Sequence, residues 1–309
     1  MSASVKTGVS YLGREDNVSL SNGEVELIMP TGYGPRVMRY AKLGGRNVFG
    51  EISPAVQGND TPFGDRWHIY GGHRLWYAPE GDPRSYFPDN QPVGVQIEGA
   101  RVRLTQAVES HSRLEKSIEM KLGERGSGVQ LEHRLTNHGS FEVELAPWSL
   151  SVMATGGTAI FAQAPFVPHP KALAPARPLV LWPFTRMNDP RWTWGDRLFS
   201  LRQDVSRPDA QKVGFYNDRG FMAYALGELV FIKKHQPLPG AHADFGCNAQ
   251  TFTNDAILEL ETLGPLTRLA PGATAVHHEQ WFLFDGVRLG QSEAEVLSNL
   301  DQLLAQTNA

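Results

Sequence analysis

Four stretches of this 309-residue sequence gather side chains able to do chemistry. The densest is residues 67–80, where Gly71 and Gly72 let the backbone turn tightly and approach a ligand closely. His73 and Arg74 follow with a titratable ring and a forked donor, Trp76 and Tyr77 add flat faces, and Glu80 ends the stretch with a carboxylate. His68, in the same stretch, reads as a structural hydrogen-bonder. The second stretch is 256–262, where period-two alternation puts Glu259 and Glu261 on one face of a strand and Leu258 and Leu260 on the other. Two carboxylates at a strand end before Gly264-Pro265 suit a cleft, and a solvated face fits the pattern equally well. In the third, His277, Glu279 and Trp281 share one strand face. A His-x-Glu set can ligate a metal, but exposed strands routinely carry it, so no metal is expected. The fourth is 188–196, whose Asp189 and Trp192 could wall a binding site or pack a loop onto a sheet. Trp148 and Lys233-Lys234-His235 are weaker candidates, and His133, on the apolar face of its strand, reads as a core histidine.

The elements that must position these residues are strands. Residues 24–30, 114–122 and 129–135 alternate apolar and polar side chains, the mark of half-buried antiparallel strands. Further strands are predicted at 36–41, 93–97, 102–107, 142–154, 212–216, 221–226, 229–234, 257–262 and 275–284, separated by Gly-, Asn- and Pro-rich turns. Only 292–306 reads as a helix, capped by Ser292 and striped with Val296, Leu297, Leu300, Leu303 and Leu304. Residues 52–92 and 163–196 break the strand rhythm. They hold five of the seven tryptophans, so they read as functional loops rather than disordered ones.

Composition excludes several function classes. With 29 basic and 33 acidic residues the formal charge is −4, without a basic run to follow a nucleic acid or an anionic membrane. Cys247 is the only cysteine, so an intramolecular disulfide and a Cys-based zinc site are excluded, and the residue reads as a buried thiol. No apolar run is long enough to span a membrane, and the first seven residues lack a signal-peptide core, which predicts a cytoplasmic location. Nucleophile elbow, phosphate-binding glycine loop and helical zinc-protease motif are all missing.

Taken in order, four segments resemble the galactose-mutarotase-like superfamily, and more its other bacterial members than the true aldose epimerases. They are Gly34-Pro35-Arg36 through Asn47-Val48-Phe49; Gly71 to Trp76; Leu135-Thr136-Asn137 through Ala146-Pro147-Trp148; and Leu260-Glu261-Thr262 followed by Leu269-Ala270-Pro271-Gly272. The resemblance spans about residues 18–285. It implies an all-β fold, a large antiparallel β-supersandwich with the C-terminal helix appended, forming one domain over 1–309. It further implies a small-molecule carbohydrate partner, no cofactor, and acid–base chemistry at the anomeric centre. On that resemblance Glu261 is the base and His73 the acid. Arg74, Asp189 and Glu279 would hold ring hydroxyls, and Trp76, Trp148 and Trp192 would stack on the sugar. A second family histidine aligns near Trp148, whose indole does not titrate. Two other readings therefore stay open: a non-catalytic sugar-binding or sensing protein, and a glycoside-processing enzyme with paired carboxylates such as Glu80 and Glu261.

Overall fold

Almost every regular element of the computed structural model is an antiparallel strand, and its described residues are 3–55 and 58–307. Two large sheets carry the fold. The first runs in the spatial order Leu179–Leu181, Gln211–Phe215, Ala249–Thr253, Leu258–Leu263, Val143–Met153, His73–Ala78 and Arg36–Val37, with Thr267–Leu269 paired beside Val143–Met153. The second has ten strands and centres on Phe221–Leu226, Leu229–His235, Thr274–Phe284 and Val129–Asn137. A four-stranded sheet built from Ser4–Tyr11, Arg14–Ser21, Val25–Pro30 and Arg39–Lys42 precedes them.

The strands form where alternation calls for them, because one face of each large sheet must be removed from water. Leu75, Tyr77, Met153, Leu258 and Leu260 from the first sheet pack into one buried cluster with Ile118, Leu131, Phe231 and Trp281 from the second. The helix Glu293–Gln306 lies against the other face of the ten-stranded sheet, burying Leu300 and Leu303 beside Ile160, Ala223 and Ile232. Ser292 caps it: its side chain accepts from the Glu295 backbone N–H, and Glu295 reaches back to the Ser292 N–H. Among the described residues, no helix is long and apolar enough to cross a membrane.

The two aromatic-rich stretches differ from the expectation of plain loops. Within 52–92, His73–Ala78 is a strand buried on both faces and paired between Val143–Met153 and the edge strand Arg36–Val37. Within 163–196, Leu179–Leu181 and Trp192–Trp194 add edge strands. Burial on both faces erases alternation, so periodicity could not show the first of these as a strand.

Candidate functional site

The glycine pair sets the site's geometry. Gly71 and Gly72 have φ of +90° and +66°, and a Cβ on Gly71 would lie 2.1 Å from the Gly50 carbonyl oxygen. The turn they make delivers His73–Ala78 into the sheet in one register: His73 opposite Ser151, Arg74 opposite Leu150, Trp76 opposite Trp148. The next strand pairs Leu150 with Glu261 and Ser151 with Leu260, and beyond it Glu261 faces Gln250 and Glu259 faces Phe252. Lys212 then pairs with Phe252. Residues directly opposite one another point to the same side, so Arg74, Trp76, Trp148, Lys212, Gln250, Glu259 and Glu261 share the face turned away from the second sheet. His73 points the other way.

Glu261 lies at the centre of this face and is fully buried. Its Oε2 accepts from Trp148 Nε1 at 2.8 Å and from Lys212 Nζ at 3.4 Å, while Oε1 has no hydrogen-bond partner among the described residues. Burial drives the Glu261 carboxyl up to about 7, with Glu259 and Glu80 pushing the same way and Lys212 and Trp148 pulling it down. Lys212 is clamped between two indoles, its Nζ 4.8 Å from the Trp148 ring centre and 4.9 Å from that of Trp182. Arg74 Nη2 stands 3.1 Å from Glu259 Oε1, and its guanidinium lies 4.5 Å over Trp76 and 5.6 Å from Trp67. Glu80 flanks the face from an exposed position and accepts from Tyr86 Oη at 2.5 Å.

Arg74 Nε and Nη1, Glu261 Oε1, Gln250 Oε1 and Trp67 Nε1 are all buried without a hydrogen-bond partner among the described residues. Leaving such an atom unsatisfied costs about 1–3 kcal/mol, more when charged, so buried polar groups are normally paired. Unpaired donors and acceptors therefore stand side by side on one indole-walled face.

Four predicted site residues are not on the Glu261 face. His73 faces the gap between the sheets: its Nε2 lies 2.7 Å from His133 Nε2 and its Nδ1 2.9 Å from Ser151 Oγ. Glu279 is in the same gap, accepting from Thr262 Oγ1 at 2.5 Å, Trp281 Nε1 at 2.8 Å and Ser149 Oγ, with Lys233 Nζ at 2.9 Å. Asp189 is engaged by Arg191, whose Nε and Nη2 are each 3.0 Å from its carboxylate. Trp192 stacks on Trp194 in the core and donates to Gln211 Oε1 at 3.2 Å. In each case strand direction or a local ion pair holds the side chain away from the Glu261 face. His133 is a buried core histidine, as its apolar strand face predicts.

Donor atoms of His73, His133 and Glu279 lie within 4.8 Å of one another, close enough for a metal site. Each is already engaged. His133 Nδ1 meets the His277 carbonyl at 3.1 Å and must donate to it, so its Nε2 accepts from His73, whose Nδ1 accepts from Ser151. These tautomers close the network with neutral rings.

Reading the sequence alone misses Lys212, Trp182 and Gln250. The signal for Lys212 is a lysine in a strand, Gln211–Phe215, whose five residues are all buried. Trp182 reaches the site because Thr185 Oγ1 donates to the Lys212 carbonyl and Gly214, two residues beyond Lys212, has no side chain; a Cβ there would lie 3.1 Å from the Trp182 ring.

No protein-family model matches the chain, and no curated protein sequence is similar to it. Solved structures do match. A galactose mutarotase-like protein from Lactobacillus casei superposes with a TM-score of 0.56 at 11% identity, over 87% of this chain and 100% of that one. For a galactose mutarotase-like protein from Clostridium acetobutylicum the TM-score is 0.54 at 9% identity, over 92% and 99% of the two chains. A galactose 1-epimerase from Lactobacillus acidophilus gives 0.53 at 11% identity, again over 92% and 99%. The chain has the galactose-mutarotase-like fold, all-β and antiparallel with a C-terminal helix.

Proposed function

We propose that this protein binds a carbohydrate on the Glu261 face and interconverts its anomers, as an aldose 1-epimerase-like isomerase. The observation that carries the reading is Glu261 itself: a buried carboxylate held near pH 7, one oxygen anchored by Trp148 and Lys212 and the other open. A general base works best when its pKa lies near the working pH and the accepting atom is free. Arg74 supplies open N–H groups, Gln250 an open acceptor, and Trp67, Trp76, Trp148 and Trp182 the flat walls on which sugar C–H groups stack. Glu261 has no exposed surface, and half-buried Trp182 stands over the Lys212 ammonium beside it.

The test is anomeric exchange followed by NMR across a panel of aldoses. Wild type should accelerate exchange, and Glu261→Gln should lower the rate by roughly 10²–10⁴-fold, the usual worth of a general base. Activity should rise with pH through about 7 as Glu261 ionises. A second reading, a sugar-binding protein without turnover, is favoured by one observation: among the described residues the partners of Glu261 are an indole and an ammonium, not an imidazole. Saturable shifts in sugar resonances without accelerated exchange would decide for it. Neither binding nor exchange with any sugar would overturn both.

A further inference from the structure

Interconverting anomers through the open chain needs two proton movements at one carbon: the anomeric hydroxyl loses a proton and the ring oxygen gains one. Glu261 serves the first. For the second, the acid must stand beside the base, because both oxygens are bonded to the same carbon.

The face offers few candidates. His73 is behind the sheet, separated from Glu261 by the backbone. Trp148 Nε1 donates to Glu261, but an indole does not titrate, and the Arg74 guanidinium does not give up a proton in proteins. The Tyr86 hydroxyl is committed to Glu80. Lys212 remains, 6% exposed, with its Nζ 3.4 Å from Glu261 Oε2. An ammonium carries three protons, and the contact with Glu261 uses one.

We infer that Lys212 is the proton donor to the ring oxygen, paired with Glu261 as base; the inference rests on the isomerase reading above. In the step, the Glu261 carboxylate takes the proton from the anomeric hydroxyl and that oxygen's electron pair forms the carbonyl. The bond from the anomeric carbon to the ring oxygen breaks, and the ring oxygen takes a proton from the Lys212 ammonium. A neutral acid and a neutral amine result. After rotation about the bond next to the carbonyl, both transfers reverse on the other face, which restores the ion pair and forms the second anomer. Nothing is oxidised or reduced, and no co-reactant is needed. The two indoles fix the ammonium where the ring oxygen arrives, so Trp148 and Trp182 act as positioning residues. The charged groups around the pair are Arg74, Glu259 and Glu80, each already facing an opposite charge or a hydroxyl.

The test separates proton transfer from mere charge. Lys212→Arg keeps a cation beside Glu261 but removes a proton that can leave; it should lower kcat by about 10²-fold, leave KM little changed and keep the acid limb near 7. In Lys212→Ala, added methylammonium and weaker-base alkylammonium ions should restore activity in proportion to their acidity. Trp182→Ala, at a half-buried position whose loss leaves the core intact, should cost roughly tenfold in kcat by freeing the ammonium. All three are compared at equal folded fraction, judged by thermal melting. A Lys212→Arg enzyme within about threefold of wild type, with kcat unchanged in Trp182→Ala, would overturn the assignment while leaving the isomerase reading intact. A wild type that accelerates exchange of no aldose overturns both.

Discussion

The weight of the site falls on one carboxyl. In the unfolded chain Glu261 ionises in the ordinary range near 4.5, whereas in the folded protein burial holds it near 7. A folded-state pKa above the unfolded value means that the native state binds the proton more tightly. Its contribution to stability is therefore fully present below about 4.5 and disappears as pH rises through about 7, where an ionised, desolvated carboxylate is being kept folded. Glu261→Gln removes that titration. Its stability relative to wild type should improve on going from pH 5 to pH 8, by on the order of 2 kcal/mol. Urea midpoints of both proteins at the two pH values check this. A constant difference would show that Glu261 ionises as freely in the folded state as in the unfolded one.

At the scale of elements, what decides the site is which side of the sheet a residue faces, and that is set by the Gly71-Gly72 turn. Period-two alternation means that a slip of one residue would turn Arg74 into the core and His73 out to the Glu261 face. Gly71 has no latitude: its φ of +90° and the 2.1 Å from its Cβ position to the Gly50 oxygen leave no room for a side chain. Gly71→Ala should cost about 3 kcal/mol or more, combining backbone strain with overpacking, and should lower the urea midpoint accordingly. A loss under 1 kcal/mol would mean that the turn can rearrange. The same element shows what the sequence makes legible. Alternation reveals Leu114–Leu122 and Val129–Asn137, and the capping pattern reveals the helix Glu293–Gln306. Glu261 and Arg74 are legible as chemistry. The strand His73–Ala78 is not, because six buried residues in a row carry no period. Lys212 is not either, because its pairing with Glu261 depends on strands 49 residues apart in the chain meeting in register. Asp189 and Trp192 look like site residues only until Arg191 and the Trp194 ring are seen to occupy them.

The two large sheets do not meet through apolar contacts alone. His73, His133, His277, Ser149, Ser151, Thr262 and Glu279 form a buried polar seam across the gap, and Lys233 completes it, 2.9 Å from Glu279. Desolvation holds His73 and His277 well below the usual imidazole range and lowers His133, while His235, also buried, falls to about 4. The nearby Lys233 ammonium pushes each of them the same way. Burial pushes the Glu279 carboxyl up, the Lys233 ammonium beside it pulls it down, and it is held well below 4.5. The signs then follow. An imidazole whose folded pKa is depressed stays neutral in the native state while the unfolded chain takes up its proton, so stability is flat above about 6.5 and falls as pH drops below it. Each such ring contributes up to about 1.4 kcal/mol per pH unit. Glu279 adds a contribution present above 4.5 that is lost below it. Glu261 opposes these trends with a single proton, between about 7 and 4.5. The histidines outnumber it, so the protein should lose stability steeply between pH 6.5 and 4.5 and unfold in acid. Urea titrations across that interval should report a net uptake of more than one proton on unfolding. His73→Gln should be less stable than wild type at pH 8, because the His133 and Ser151 contacts are disturbed, yet it should show a shallower pH slope with one imidazole fewer. A wild-type profile flat down to pH 5 would mean that the seam admits protons without opening, and that the sheets part for some other reason.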